Sequence, residues 1–178
     1  MPDLIATISG AQAAYYEKLG IKLNKWLDPL TEAQFWRNPF PDGNDIGHLV
    51  LHLTGSLNYY IGAEIAQTGY LRDGDKEFSD DHPPSKAETL EKFDQAIDFV
   101  VATIRKQSGE DWSAPYSGRG ADSTNRFGIV IDCAAHADHH IGQIINLTRE
   151  LRRWTTVVCD LPGLRSGFTC GYNPRNPE

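Results

Sequence analysis

The sequence predicts an all-α protein, a four-helix bundle followed by an irregular C-terminal tail, and three observations carry that expectation. Four segments repeat their apolar residues every three or four positions. The breaks between them are rich in Pro, Gly, Asn and charge. A length of 178 residues suits one domain with a substantial core and is short for two. The apolar fraction of 40% and aromatic fraction of 10% are those of an ordinary globular chain.

The first helix spans about residues 3 to 28, where Ile5, Ile8, Ala11, Tyr15, Leu19, Leu23 and Trp26 define one face. Thr31 and Gln34 form a weak capping box for a short turn, and NPFPDGND breaks the chain. A second helix is expected from an N-cap at Asn44 to about Ala66, with Ile46, Leu49, Val50, Leu53, Leu57 and Ile61 inward and Gly69 as its stop. The acidic stretch from Arg72 to Pro84 has no period and reads as a solvated loop that includes His82. Ser85 and Glu88 then box the start of a third helix, with Leu90, Phe93, Ile97, Val100, Val101 and Ile104 inward, ending near Gln107. After the loop SAPYSGRGADSTN, any of Ser123, Thr124 and Asn125 can cap a fourth helix from about Arg126 to about Trp154. The expected organisation is a bundle over residues 1–154 and a tail over 155–178. Periodicity alone leaves the topology open.

Composition excludes several functions. A net charge of −7 repels a phosphate backbone, so no nucleic-acid partner is expected. Arg149, Arg152 and Arg153 cluster at a helix end, where the macrodipole favours cations. No run of about eighteen apolar residues and no basic leader are present, so neither a membrane partner nor export is expected and the protein reads as cytoplasmic. Cys133, Cys159 and Cys170 are odd in number and lack metal-type spacing, so a disulfide framework is not expected. Cys133 reads as a small buried residue.

The histidines carry the functional signal. HADHHIGQI places His136, His139 and His140 in the fourth helix. At about 100° per residue, His136 and His140 lie about 40° apart, on the stripe that holds Ile129, Cys133, Ile144, Leu147 and Leu151. A buried neutral imidazole needs a partner for each nitrogen, and a divalent metal can satisfy two that lie one turn apart. A lone helical histidine is more often a hydrogen-bonded core residue, so the pairing is what points to a metal. The second helix contributes His48 and His52, about 160° and 120° from its stripe centre, which makes His52 the third ligand and leaves His48 as a supporting candidate. His139 and Gln143 are the other candidates to orient a ligand ring. Ala137 stands where a zinc peptidase of the H-E-x-x-H type would carry its base, so that chemistry is disfavoured. Three neutral ligands leave an open position, the catalytic arrangement, for which zinc and nickel are both suitable. Tyr59, Tyr60 and Trp112 read as core or loop anchors more than as cleft residues.

Taken together, LTEAQFWRNP, NDIGHLVLHLTG and HADHHIGQI resemble the DinB-like (YfiT-like) metal-dependent superfamily, over about residues 5 to 153. Its name belongs to a DNA-damage-inducible family and not to the polymerase that shares it. The resemblance implies an up-down-down-up bundle with nickel or zinc on three histidines, which by motif fall on His52, His136 and His140. It further implies a homodimer. Some relatives are transferases that use a low-molecular-weight thiol (bacillithiol, mycothiol or glutathione), and one branch is a mycothiol-dependent maleylpyruvate isomerase. The expectation is therefore a small-molecule, thiol-dependent transferase. A hydrolase that activates metal-bound water and a non-catalytic, stress-related metal protein are the alternatives.

Overall fold

Helix α1, Leu4–Leu27, starts where Asp3 accepts the backbone N–H of Ile5 at 2.9 Å. The computed structural model describes residues 3–40, 43–79, 82–118 and 125–159, with side chains as far as residue 153. The Thr31 and Gln34 capping box forms and opens the short helix α2, Glu32–Phe35. Helix α3, Ile46–Leu57, runs on into a π-helical turn over Asn58–Ala63. After α4, Lys76–Ser79, the Ser85 and Glu88 box starts α5, Lys86–Arg105. Ser108 and Asp111 cap α6, Gly109–Ser113, and α7 spans Arg126–Cys159.

Long-range contacts fix the topology. Tyr16 donates to the Val130 carbonyl at 2.7 Å and Lys22 meets Asp138 at 2.7 Å, so α1 and α7 run the same way. Arg105 reaches Glu17 and Asn24 reaches Asp94, which sets α5 antiparallel to α1. Tyr116, ahead of α7, donates to the Tyr60 carbonyl beyond α3, while His52 meets His136 further along α7, so α3 opposes α7. Both α1 and α3 pack against α5 and α7. The result is an up-down-down-up bundle. Tyr16, Phe35, Leu53, Phe93, Ile104 and Ile141 are among its fully buried side chains, and each contributes about 1.5–3 kcal/mol relative to an exposed position.

Several local expectations change. The buried face of α1 is Ala13, Tyr16, Leu19, Leu23 and Leu27, so Tyr15 stands outside and Trp26 packs beneath the Arg149 guanidinium at 5.2 Å. Of two adjacent tyrosines, the one turned inward finds a carbonyl for its hydroxyl. Asp45, not Asn44, caps α3, because its carboxylate accepts the His48 N–H at 2.8 Å. Regular α-helix ends well before Gly69, although Gly69 does adopt a left-handed φ of 75°. The acidic stretch 72–84, expected as plain solvated loop, contains α4 and the buried Glu77. Asn125 caps α7 through Gly128, while Ser123 and Thr124 lie outside the described residues. Helix α7 continues past Trp154 to Cys159, and the rest of the expected tail also lies outside them. Cys133 is buried and free, and its thiol is pushed up to about 12, chiefly by burial. Among the described residues no helix is long and apolar enough to cross a membrane.

Candidate metal centre

The seam between α3 and α7 brings together His52, His136 and His140. The Nε2 atoms of His52 and His136 are 3.0 Å apart. The His140 ring lies 4.5 Å from that of His136 and 5.0 Å from that of His52, centroid to centroid. One ligand atom from each falls within 4.8 Å of the others. With metal–nitrogen bonds of about 2.0–2.1 Å, tetrahedral ligand atoms stand about 3.3 Å apart, so this donor set fits a divalent ion after small side-chain adjustments. The His136 and His140 pair does not occupy the fully inward stripe as expected. Ala137, 1% exposed, takes that line with Val130, Ala134, Ile141 and Ile144, and the imidazoles sit at the rim. A rim position leaves the site open to solutes.

Burial, above all, keeps His136 and His140 neutral. Burial, followed by the neighbouring His140, His52 and Arg72, depresses His136 to about 4. Burial also lowers His140, against the opposing effect of the hydrogen bond it donates to Gln143. Neutral imidazole has a lone pair to offer at neutral pH.

The surroundings fix which nitrogen offers it. Gln143 Oε1 lies 2.7 Å from His140 Nδ1, and its Nε2 lies 3.2 Å from His139 Nε2. An amide nitrogen can only donate, so His139 accepts there and His140 Nδ1 donates to the amide oxygen. This arrangement leaves His140 Nε2 free for an ion. The contacts of His48 run elsewhere: Nδ1 meets Asp45 Oδ2 at 2.7 Å, its ring packs on Trp36 at 5.4 Å, and its buried Nε2 has no hydrogen-bond partner. Asp138 pairs with Lys22. Trp112 is a core residue that donates to Ser9 at 3.0 Å. Tyr59 and Tyr60 meet edge to face in the π-helical turn, ring centroids 5.0 Å apart.

Sequence reasoning missed Glu77. Its Oε2 lies 3.0 Å from His52 Nδ1, and Arg72 binds both of its oxygens, at 2.7 and 2.8 Å. Burial alone would raise this carboxyl, yet hydrogen bonds from Arg72 and His52, with their charges, hold it below the usual value. Next to it, Phe78 lays its ring 5.1 Å from that of His52. One signal was available in Gly55. Glycine inside a helix weakens it, and here a Cβ would overlap Glu77 Oε1.

A groove of about 790 Å³ continues along the same seam. Phe40, Asn44, Leu49, Asn146 and Arg149 line it, together with Gln143, which joins it to His140. Its size is within the range of small-molecule sites, about 300–1,000 Å³.

No curated protein matches the chain. The family model of the DinB superfamily matches residues 16–144, a stretch that runs from α1 through the whole histidine cluster. With that match over most of its length, and a helical bundle bearing three convergent histidines, the chain belongs to the DinB superfamily.

Proposed function

We propose that His52, His136 and His140 hold nickel or zinc, and that the protein is a metal-dependent transferase acting with a low-molecular-weight thiol. The observation that carries this reading is the open side of the cluster. Three imidazoles converge, while the nearby groups that could close the site are engaged elsewhere: His48 with Asp45, Asp138 with Lys22, and Glu77 behind His52 on Nδ1. A divalent ion there would supply the positive charge that lowers the pKa of an approaching thiol. The protein's own share is to keep His136 and His140 neutral, to orient His140 through Gln143, and to offer the adjoining groove to a second substrate. Cytoplasmic placement suits this chemistry, because thiols there stay reduced. A homodimer is the proposed assembly, to be checked by light scattering.

Elemental analysis of protein purified without an affinity tag is the first test. About one divalent ion per chain is expected, and its loss in each of His52→Ala, His136→Ala and His140→Ala. The loaded protein should then consume an epoxide or halide only when thiol is present. Turnover of an ester without thiol would favour the hydrolase, and metal without any turnover the non-catalytic protein. Folded parent protein that takes up neither nickel nor zinc refutes the metal centre.

A further inference from the structure

We propose that Glu77, held by Arg72, is the positioning residue of His52, fixing its proton on Nδ1 so that Nε2 keeps the lone pair facing His136 and His140. This rests on the metal-centre reading for its purpose but not for its geometry. His52 Nδ1 has two neighbours: Glu77 Oε2 at 3.0 Å, which can only accept, and Arg72 Nη2 at 3.2 Å, which can only donate. They demand opposite tautomers. With Glu77 in place, Arg72 directs one N–H each from Nε and Nη2 at the carboxylate, and the anionic Oε2, nearer to Nδ1 at 3.0 Å than Nη2 is at 3.2 Å, makes Nδ1 the donor. Without Glu77, the guanidinium would face Nδ1 unopposed and draw the proton round to Nε2, removing the lone pair from the cluster.

The surrounding structure is built to keep Glu77 there. Its side chain is 8% exposed. Gly55, one turn after His52, leaves the space that the carboxylate fills. The Arg72 guanidinium rests 5.9 Å from the Tyr60 ring, which the π-helical turn presents. Carboxylate behind a ligating imidazole also raises its basicity, and losing such a partner typically weakens metal binding about 10–100-fold.

The test uses full-length, metal-stripped protein and two readouts. Long-range proton–nitrogen correlation spectra report the His52 tautomer without metal, and cobalt(II) titration reports affinity and the visible absorption of the bound ion. The parent should show Nδ1–H at His52. Glu77→Ala should switch it to Nε2–H, weaken cobalt by about 10–100-fold and alter the absorption. Glu77→Gln keeps an accepting oxygen and should keep the parent tautomer. Adding Arg72→Met to Glu77→Ala removes the competing donor and should recover part of the lost affinity, a reversal that simple loss of packing would not give. An Nε2–H parent, or a Glu77→Ala variant with the parent's tautomer and cobalt affinity, overturns the proposal. If Glu77→Ala does not fold, the spectra of the parent and of Glu77→Gln decide instead, and an Nε2–H His52 in either overturns the proposal. A parent that binds no cobalt refutes the metal centre alone, since the metal-free spectra still decide the role of Glu77.

Discussion

Replacing Gly55 by alanine separates helix propensity from the packing beneath Glu77. Alanine in the middle of a helix should stabilise it by about 0.8–1.0 kcal/mol. The structure reverses that sign. A methyl group at residue 55 overlaps Glu77 Oε1 and comes 2.9 Å from Cδ, while Arg72 and His52 pin the carboxylate from the other side. Its displacement breaks hydrogen bonds to charged groups that are worth about 1.5–3 kcal/mol each. Water can reach Arg72, whose side chain is 19% exposed, and repays part of this loss. Set against the propensity gain, the net cost is about 1–3 kcal/mol. At about 2–4 °C per kcal/mol for a chain of this size, Tm should fall by about 2–12 °C. Thermal and urea unfolding of the metal-free variant, followed by circular dichroism, would measure it. A Gly55→Ala protein as stable as the parent, or more stable, would refute the argument that Glu77 is locked in that space.

Acid should destabilise the metal-free protein in a defined window. His136 titrates near 4 when folded and at its ordinary value of 6.5 when unfolded, so its contribution is complete above 6.5 and is lost as pH falls towards 4. His140 acts in the same direction, and the lowered Glu77 adds a loss at lower pH. Urea midpoints across that range should fall, and His136→Gln should flatten the slope; equal slopes would contradict the assignment. Tyr16→Phe removes a buried hydroxyl bonded to the Val130 carbonyl; it should cost about 0.5–1.5 kcal/mol, with no change in metal uptake. Cys133, buried with its thiol pushed up to about 12, should resist alkylation until the protein unfolds, and mass mapping of native protein that finds it modified would disprove its burial.

The sequence revealed most where the signal was local. Capping boxes at Thr31 and Ser85 formed as read, because each lies within one turn of chain. The spacing of His136 and His140, with a third histidine on another helix, was enough to anticipate which side chains would converge. Periodicity was less exact about facing. On α1 it took Tyr15 for Tyr16, since a one-residue rotation leaves an apolar stripe almost equally good and only the Val130 carbonyl distinguishes the two. Glu77 was invisible for a different reason. In RDGDKEFSDD it is one acid among several, and only tertiary contact with Gly55 and His52 singles it out. The same holds for the π-helical turn, whose extra residue per turn leaves no mark in the apolar pattern of α3.

His52 and His136 are separated by 84 positions along the chain. Bringing such distant residues together in an unfolded chain costs about 4 kcal/mol in loop closure, before any contact is made. Small zinc modules gather their ligands within about 20–30 residues and fold around the ion. Here an unfolded chain could offer an ion little more than the neighbouring pair on α7. The bundle must therefore assemble first, and an ion would enter a finished structure as a rivet between two antiparallel helices. Its effect would be felt chiefly in how slowly the seam of α3 and α7 comes apart.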